Sequence, residues 1–185
     1  MQTAAQISPD VLTVSRPSLL ENGCDDAFRG LLHNMFSVAA RLEQIRSRFG
    51  AFIGLTGPQY TILAAIRQFQ AAAGNGVGVK EVAERLHLSG AFVTIETNKL
   101  AKLGLITKTT NVRDLRRVDL ALSARGYAAL ATLAPMQRAV NDTLFAPLDA
   151  DAFHALCATV RALAESGAEA AALADELMDE TRDVP

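Results

Sequence analysis

Tryptophan is absent from this 185-residue chain, aromatic residues make up only 5% of it, and cysteine occurs twice. A core poor in large rings must be filled by Ala, Leu, Ile and Val, and the abundance of Ala and Leu favours helix over sheet. Cys24 and Cys157 are too few for a disulfide framework, so a reduced, cytoplasmic setting is expected. His33, His87 and His154 are scattered, and neither cysteine has a partner at metal-ligand spacing, so no metal and no cofactor is expected. No apolar run is long enough to cross a bilayer, and Met1 to Asn22 lacks the basic start and apolar centre of an export signal. A Ser/His/Asp ordering and a Gly-rich phosphate loop are missing too. Asp175-Glu176 and Asp179-Glu180 read as a solvated acidic tail rather than a catalytic pair, which leaves an enzyme as the disfavoured class.

Half of the residues are apolar, enough for one domain with extensions. The net charge of −2 argues against a general nucleic-acid coat, but its distribution is uneven. Between Val79 and Arg125 nine basic residues face five acidic ones, a net +4, and the remainder carries −6. A basic middle between acidic arms suits a protein that presents one face to phosphate, and an unevenly charged solvated surface is the alternative.

Residues 1–23 mix Pro9 and Pro17 with Ser and Thr without a period and are expected to form a loosely ordered arm. A helix is predicted from Asp25 to Phe49, its dipole favoured by Asp25 and Asp26, with Gly50 and Gly54 ending it. Its apolar residues Phe28, Leu32, Met35, Ala39, Leu42, Ile45 and Phe49 alternate four- and three-residue steps, the period of a helix lying along another helix. Thr56-Gly57-Pro58-Gln59 reads as a capping box that opens a second helix running to about Ala72. Val79–His87 and Ala91–Leu103 are two short helices around the turn Leu88-Ser89-Gly90, with Ser89 as cap and Gly104 as a left-handed stop. Leu105–Thr109 and Arg117–Leu122 read as strands, the second by its alternation of Val118, Leu120 and Leu122 with polar or small residues. Ser123 caps a helix from Ala124 to about Phe145 that Pro135 should bend or interrupt. The last helix, Ala150 to Met178, repeats Phe153, Leu156, Val160, Leu163, Gly167, Ala170, Ala174 and Leu177 with the seam spacing of the first.

The middle pair has the helix-turn-helix layout. Val93, Leu100 and Phe92 are expected inward; Thr94, Glu96, Thr97, Asn98, Lys99 and Lys102 are expected outward. In a DNA reader Thr94 meets a thymine methyl or phosphate, Asn98 an adenine edge or phosphate, and Lys99 and Lys102 neutralise backbone charge. Ser89, Ala91 and Thr97 complete the expected contacts of this helix. The hairpin tip carries Arg113, Arg116 and Arg117, which suit a narrow minor groove, with Asp114 placed to orient Arg116 by a bidentate pair. The alternative is an ordinary helix pair beside a solvated turn.

Leu88-Ser89-Gly90-Ala91-Phe92-Val93-Thr94, Lys99-Leu100-Ala101-Lys102-Leu103-Gly104-Leu105-Ile106, Asp114-Leu115-Arg116-Arg117 and Leu120-Ala121-Leu122-Ser123-Ala124-Arg125-Gly126 follow in order. With Leu55-Thr56-Gly57-Pro58-Gln59 they resemble the multiple-antibiotic-resistance regulator (MarR) family over roughly residues 25–170. The chain departs from the family pattern at Ile95-Glu96. The resemblance implies a mainly α fold with a small β-hairpin wing: a winged helix-turn-helix with long N- and C-terminal dimerisation helices. The expected division is an arm (1–23), an N-terminal dimerisation helix (24–54), the DNA-binding domain (55–122), C-terminal dimerisation helices (123–178) and a flexible acidic tail (179–185).

The same resemblance implies a homodimer on a palindromic double-stranded operator, with Arg116 as the minor-groove residue. It also implies release by a small effector, an aromatic carboxylate or its coenzyme A thioester. His33, Ser37, Arg41, Tyr60 and Arg67 are the candidate polar residues for that effector. Two other readings stay open. Cys24, near the place where peroxide-sensing relatives hold a reactive cysteine, could make the chain a thiol-based redox sensor, although Asp25 and Asp26 oppose a thiolate. A winged helix used only for protein interaction is the other.

Overall fold

The computed structural model of the chain describes residues 11–73, 76–111 and 114–182. These form two compact units that divide after Pro135. In the first, α1 (Asp26–Phe52) is followed by α2 (Gly57–Ala73), β1 (Val77–Gly78), α3 (Val79–Leu86), α4 (Gly90–Lys102), β2 (Ile106–Thr110) and β3 (Val118–Leu122). Helix α5 (Ala124–Leu144) starts in this unit, and α6 (Ala150–Arg182) belongs to the second. The fold is a winged helix: mostly helical, with one small antiparallel sheet in the order β1-β3-β2. Among the described residues no single helix is long and apolar enough to cross a membrane.

Helix α2 is the centre of the first unit. Ile62, Leu63 and Ile66 are fully buried and Ala65 and Phe69 nearly so, a broad apolar face that packs against α1, α4 and β3. Each such fully buried aliphatic side chain contributes about 1.5–3 kcal/mol of burial. The helix opens on the expected reciprocal capping box. The Thr56 N–H donates to Gln59 Oε1 at 3.1 Å, and the Gln59 N–H donates to Thr56 Oγ1 at 3.4 Å. Farther along, Gln70 Oε1 accepts the Leu122 N–H at 3.0 Å, tying α2 to β3.

The end of α1 differs from the sequence expectation. Gly50 is inside the helix and buried, and the chain turns only at Gly54, with φ +74°. A Cβ on Gly50 would lie 2.8 Å from the carbonyl oxygens of both Leu55 and Thr56, so Gly50 lets the corner fold back against the helix. Close approach, not helix termination, is what requires glycine there.

The N-terminal arm also differs, as far as it is described. Residues 17–19 form a single 3-10 turn, and Asn22 and Gly23, both at positive φ, close a small bridge between Glu21 and Cys24. Asp25 is fully buried. Its carboxylate accepts the Thr13 N–H at 2.7 Å, the Thr13 hydroxyl at 2.5 Å and the Arg29 guanidinium at 2.7 Å. The arm was expected to be loose because its pinning depends on a contact twelve residues away, which no local pattern reveals.

Residues 106–110 pair with 118–122 in the register Ile106↔Leu122 to Thr110↔Val118, and β1 adds Val77↔Leu120. Strand β1, two residues long, escaped the sequence reading. Ser123 caps α5 as expected, accepting the Gly126 N–H at 3.0 Å and donating to the Gly104 carbonyl at 2.6 Å. Pro135 does not interrupt α5, whose helical backbone continues to Leu144. In the second unit Asp149 caps α6 through the Ala152 N–H at 2.8 Å. That helix runs on to Arg182, so the residues from 179 to 182 are helical rather than a tail.

Candidate nucleic-acid interface

The turn between α3 and α4 is closed by His87, not by glycine. His87 sits in the left-handed region at φ 52°, and the Leu88 N–H reaches back to the Ala83 carbonyl at 3.0 Å. Gly90, which the sequence suggested as the turn residue, is the first residue of α4, and a Cβ there would touch nothing within 4 Å. Ser89 caps α4 by accepting the Phe92 N–H at 3.2 Å. Val82 and Ala83 on α3 and Val93 and Leu100 on α4 are buried between the helices and α2, and Phe92 is half-buried.

The outward face of α4 carries Ala91, Thr94, Ile95, Asn98, Lys99 and Lys102. Thr94 is exposed and its hydroxyl donates to the Gly90 carbonyl at 2.8 Å. Asn98 Oδ1 accepts Lys108 Nζ at 2.7 Å, bringing a lysine of β2 to the edge of the helix. Two expected outward residues are inside. Thr97 is fully buried, its hydroxyl donating to the Thr94 carbonyl at 3.1 Å, so the expected DNA contact from Thr97 is withdrawn. Glu96 is 6% exposed and pairs with Gln59 and Lys99. The reason is helical phase: 93, 96, 97 and 100 form one stripe, and two polar residues occupy it. Ile95 is the converse, a large apolar side chain left 53% exposed in the middle of the reading helix. Its place next to Thr94 was the only sequence signal for it.

At the wing, Asn111 and Asp114 stitch the tip. The Asp114 N–H donates to Asn111 Oδ1 at 3.0 Å, the Arg116 N–H donates to Asp114 Oδ1 at 3.0 Å, and Asn111 Nδ2 donates to Asp119 at 2.6 Å. The expected bidentate pair between Asp114 and the Arg116 guanidinium is not formed; Asp114 Oδ1 accepts the Arg116 backbone N–H instead. Among the described residues the Arg116 guanidinium has neither an ion pair nor a hydrogen bond. Arg117 differs: its Nε donates to Asp119 Oδ1 at 2.9 Å, and its terminal nitrogen lies 3.7 Å from Glu81 on α3. Arg113 lies outside the described residues. Between α3, the start of α4 and the wing runs a cleft of about 1040 Å³ lined by Glu81, Glu84, His87, Thr94, Arg116 and Arg117, among others.

Neither of the two cavities described for this chain brings the five candidate effector residues together. His33, Ser37 and Arg41 lie four residues apart on one exposed face of α1, with Arg41 donating to Gln44 at 3.1 Å. Tyr60 is buried edge-on to Phe49, with ring centroids 5.8 Å apart, and Arg67 is exposed on α2. Tyr60 alone of the five lines a shallow groove of about 420 Å³, which it shares with Arg46, Gln68, Phe69 and Arg85. Arg46 Nε donates to the Thr61 hydroxyl at 2.8 Å, and the Arg85 guanidinium stacks 4.9 Å over the Phe69 ring. At Cys24, the hydrogen bond with the Asp26 carboxylate pushes the thiol pKa up.

A capped second helix, exposed along one face and flanked by a basic hairpin, defines a winged helix-turn-helix protein. Residues 53–117 match the model of the MarR family. It is 32% identical over 73 residues to the HTH-type transcriptional repressor MdtR of Bacillus subtilis (strain 168), a match covering 40% of this chain and 44% of MdtR. The chain thus aligns with less than half the length of that curated relative. Among solved structures, the PcaV transcriptional regulator from Streptomyces coelicolor, in complex with its natural ligand, superposes with a TM-score of 0.54 at 26% identity. That superposition covers 70% of this chain and 91% of PcaV. A MarR protein from Peptoclostridium difficile superposes with a TM-score of 0.62 at 16% identity, over 80% of this chain and 91% of its own.

Proposed function

We propose that this protein is a DNA-binding transcriptional regulator of the MarR family, a homodimeric repressor acting in the cytoplasm on a palindromic operator. The observation that carries the reading is the pairing of an exposed, Ser89-capped α4 face with a wing whose Arg116 guanidinium is uncommitted. On this reading α4 enters the major groove, where Thr94, Asn98 and Ile95 face base edges and Ile95 suits a thymine methyl. Ser89, Ala91 and Lys102 lie along the backbone, Lys99 is at the same edge but ion-paired with Glu96, and Arg116 reaches the minor groove. Arg117 and Asp114 hold the wing in shape, and Arg113 adds charge at its tip. The activity is binding and release, not catalysis.

Apolar exposure supports the dimer. On α1, Leu32 and Met35 are 39% and 44% exposed. On α6, Phe153, Leu156, Val160, Leu163 and Leu177 are all exposed. Stripes of this kind on two helices carry a hydrophobic cost that a second copy relieves. The proposed division keeps 24–54 and 123–178 as dimerisation helices around a DNA-binding domain at 55–122, with α6 extended to Arg182. The proposed effector is an aromatic carboxylate or its coenzyme A thioester. What supports an effector at all is the similarity to PcaV, which carries its natural ligand; His33, Ser37, Arg41, Tyr60 and Arg67 are the residues to vary.

Footprinting on the DNA flanking the protein's own gene, with sedimentation at the same concentrations, tests this reading. Two protected half-sites about 10 bp apart are expected, lost when an effector from a panel of aromatic acids is added. A monomer that retains no promoter fragment at low ionic strength refutes it. The redox alternative has less support, since the raised Cys24 pKa leaves little thiolate to react with peroxide.

A further inference from the structure

Glu96 is a carboxylate in a stripe otherwise used for packing α4 against α2. Its Oε2 accepts Gln59 Nε2 at 3.0 Å in a buried contact, and its Oε1 accepts Lys99 Nζ at 2.7 Å. Gln59 is itself held at the corner between α1 and α2, its own Oε1 taken by the Thr56 N–H at 3.1 Å. Hydrogen bonds therefore run unbroken from that corner through Gln59 and Glu96 to the ammonium group of Lys99. The Glu96 side chain is 8% exposed and that of Lys99 54%, so the acid is inside and the lysine at the surface. Burying a carboxylate costs desolvation, and an apolar residue of similar volume at such a place is commonly no less stable. Stability alone does not account for the acid.

We propose that Glu96 is a positioning residue that restrains DNA binding: anchored by Gln59, it holds the Lys99 ammonium away from phosphate. The inference rests on the DNA-binding reading above. Among the described residues the reading face of α4 then presents Lys102 as a free cation and Lys99 as a neutralised one. Lys99 becomes available only when its contact with Glu96 is broken. Because Gln59 sits on α2, the position of α2 against α4 governs that contact.

The test compares the full-length wild type with E96Q, K99A and the double variant, on a labelled duplex from the DNA flanking the gene and on a scrambled duplex. Affinity is measured between about 50 and 200 mM KCl. Glutamine at 96 still accepts from Gln59 but offers Lys99 no charge. E96Q is expected to bind both duplexes more tightly at low salt, with a salt slope steeper by about one per protomer. Over that salt range this is an extra loss of about threefold per protomer. K99A alone leaves the slope nearly unchanged, whereas K99A added to E96Q abolishes the gain. An E96Q slope equal to that of the wild type overturns the proposal, as does a loss of about one per protomer in K99A alone. If E96Q does not melt cooperatively, the K99A slope decides by itself. Retention of neither duplex by the wild type refutes the DNA-binding reading and this inference with it; retention with an unchanged slope refutes the inference alone.

Discussion

Alanine at Gly126 would place a Cβ 2.1 Å from the Leu105 carbonyl oxygen, which belongs to backbone and cannot swing away. An ordinary carbon–oxygen approach is about 3.3 Å, so the two chains must part by about 1 Å. The same carbonyl accepts the Ser123 N–H at 3.0 Å, and Gly126 N–H is held by the Ser123 hydroxyl, so the first turn of α5 and the start of β2 move together or lose bonds. Overpacking of this kind costs about 3 kcal/mol at its upper range, and alanine returns about 1 kcal/mol of helix propensity. The net loss is about 2 kcal/mol, or a fall in Tm of about 4–8 °C for a chain of this size. Gly30 on α1 is the control, because a Cβ there meets nothing within 4 Å. Gly30→Ala is expected to raise Tm by about 2–4 °C through helix propensity alone. Thermal unfolding followed by far-ultraviolet circular dichroism reads both variants. A Gly126→Ala protein melting at or above the wild-type temperature refutes the close-approach argument.

Arg116→Ala is expected to weaken operator binding and flatten the salt dependence by about one per protomer, with Tm unchanged, since among the described residues the guanidinium makes no hydrogen bond or ion pair; undiminished affinity removes its wing role. Asp25, held well below the usual carboxylate range first by Arg29 and then by Thr13, stabilises the fold wherever it is ionised. Its folded-state pKa is depressed, so that stabilisation is present above the unfolded value of about 4 and is lost as pH falls through the folded one. Asp25→Asn should therefore lower Tm at neutral pH by an amount that shrinks steadily in acid titrations below pH about 4; a pH-independent difference contradicts the ionic role. Cys24→Ser is expected to keep operator binding and to leave any response to peroxide unchanged. Peroxide release seen in the wild type and abolished in the serine variant would restore the redox reading.

Elements whose information is local were legible in the sequence. The capping box at Thr56 and Gln59, the Ser89 and Ser123 caps and the Gly104 stop need only neighbouring residues and are present as read, while the alternation of β3 holds at Leu120 and Leu122 but leaves Val118 exposed. Helical phase and reach depend on what lies opposite. The apolar pattern of α4 could not say that Glu96 and Thr97 face inward, because Gln59, the partner that makes burial of Glu96 tolerable, is 37 residues away. Asp25 was read as favouring a helix dipole, yet its carboxylate turns back to Thr13. Gly50 looked like a terminator because the sequence cannot show that the backbone at Leu55 and Thr56 comes against it.

Composition, caps and spacing alone therefore determined a helical chain with a basic helix-turn-helix and hairpin in its middle, since hydrogen bonds over three or four residues and apolar periodicity settle such elements. Tertiary structure decided which cations of that surface are free. Among the described residues the Arg116 guanidinium has no partner, whereas Arg117 is drawn to Glu81 on α3, and the acid that holds Lys99 is itself buried against Gln59 of α2. A charge is available or neutralised according to what folding brings within about 4 Å of it, and that distance is set by the whole chain.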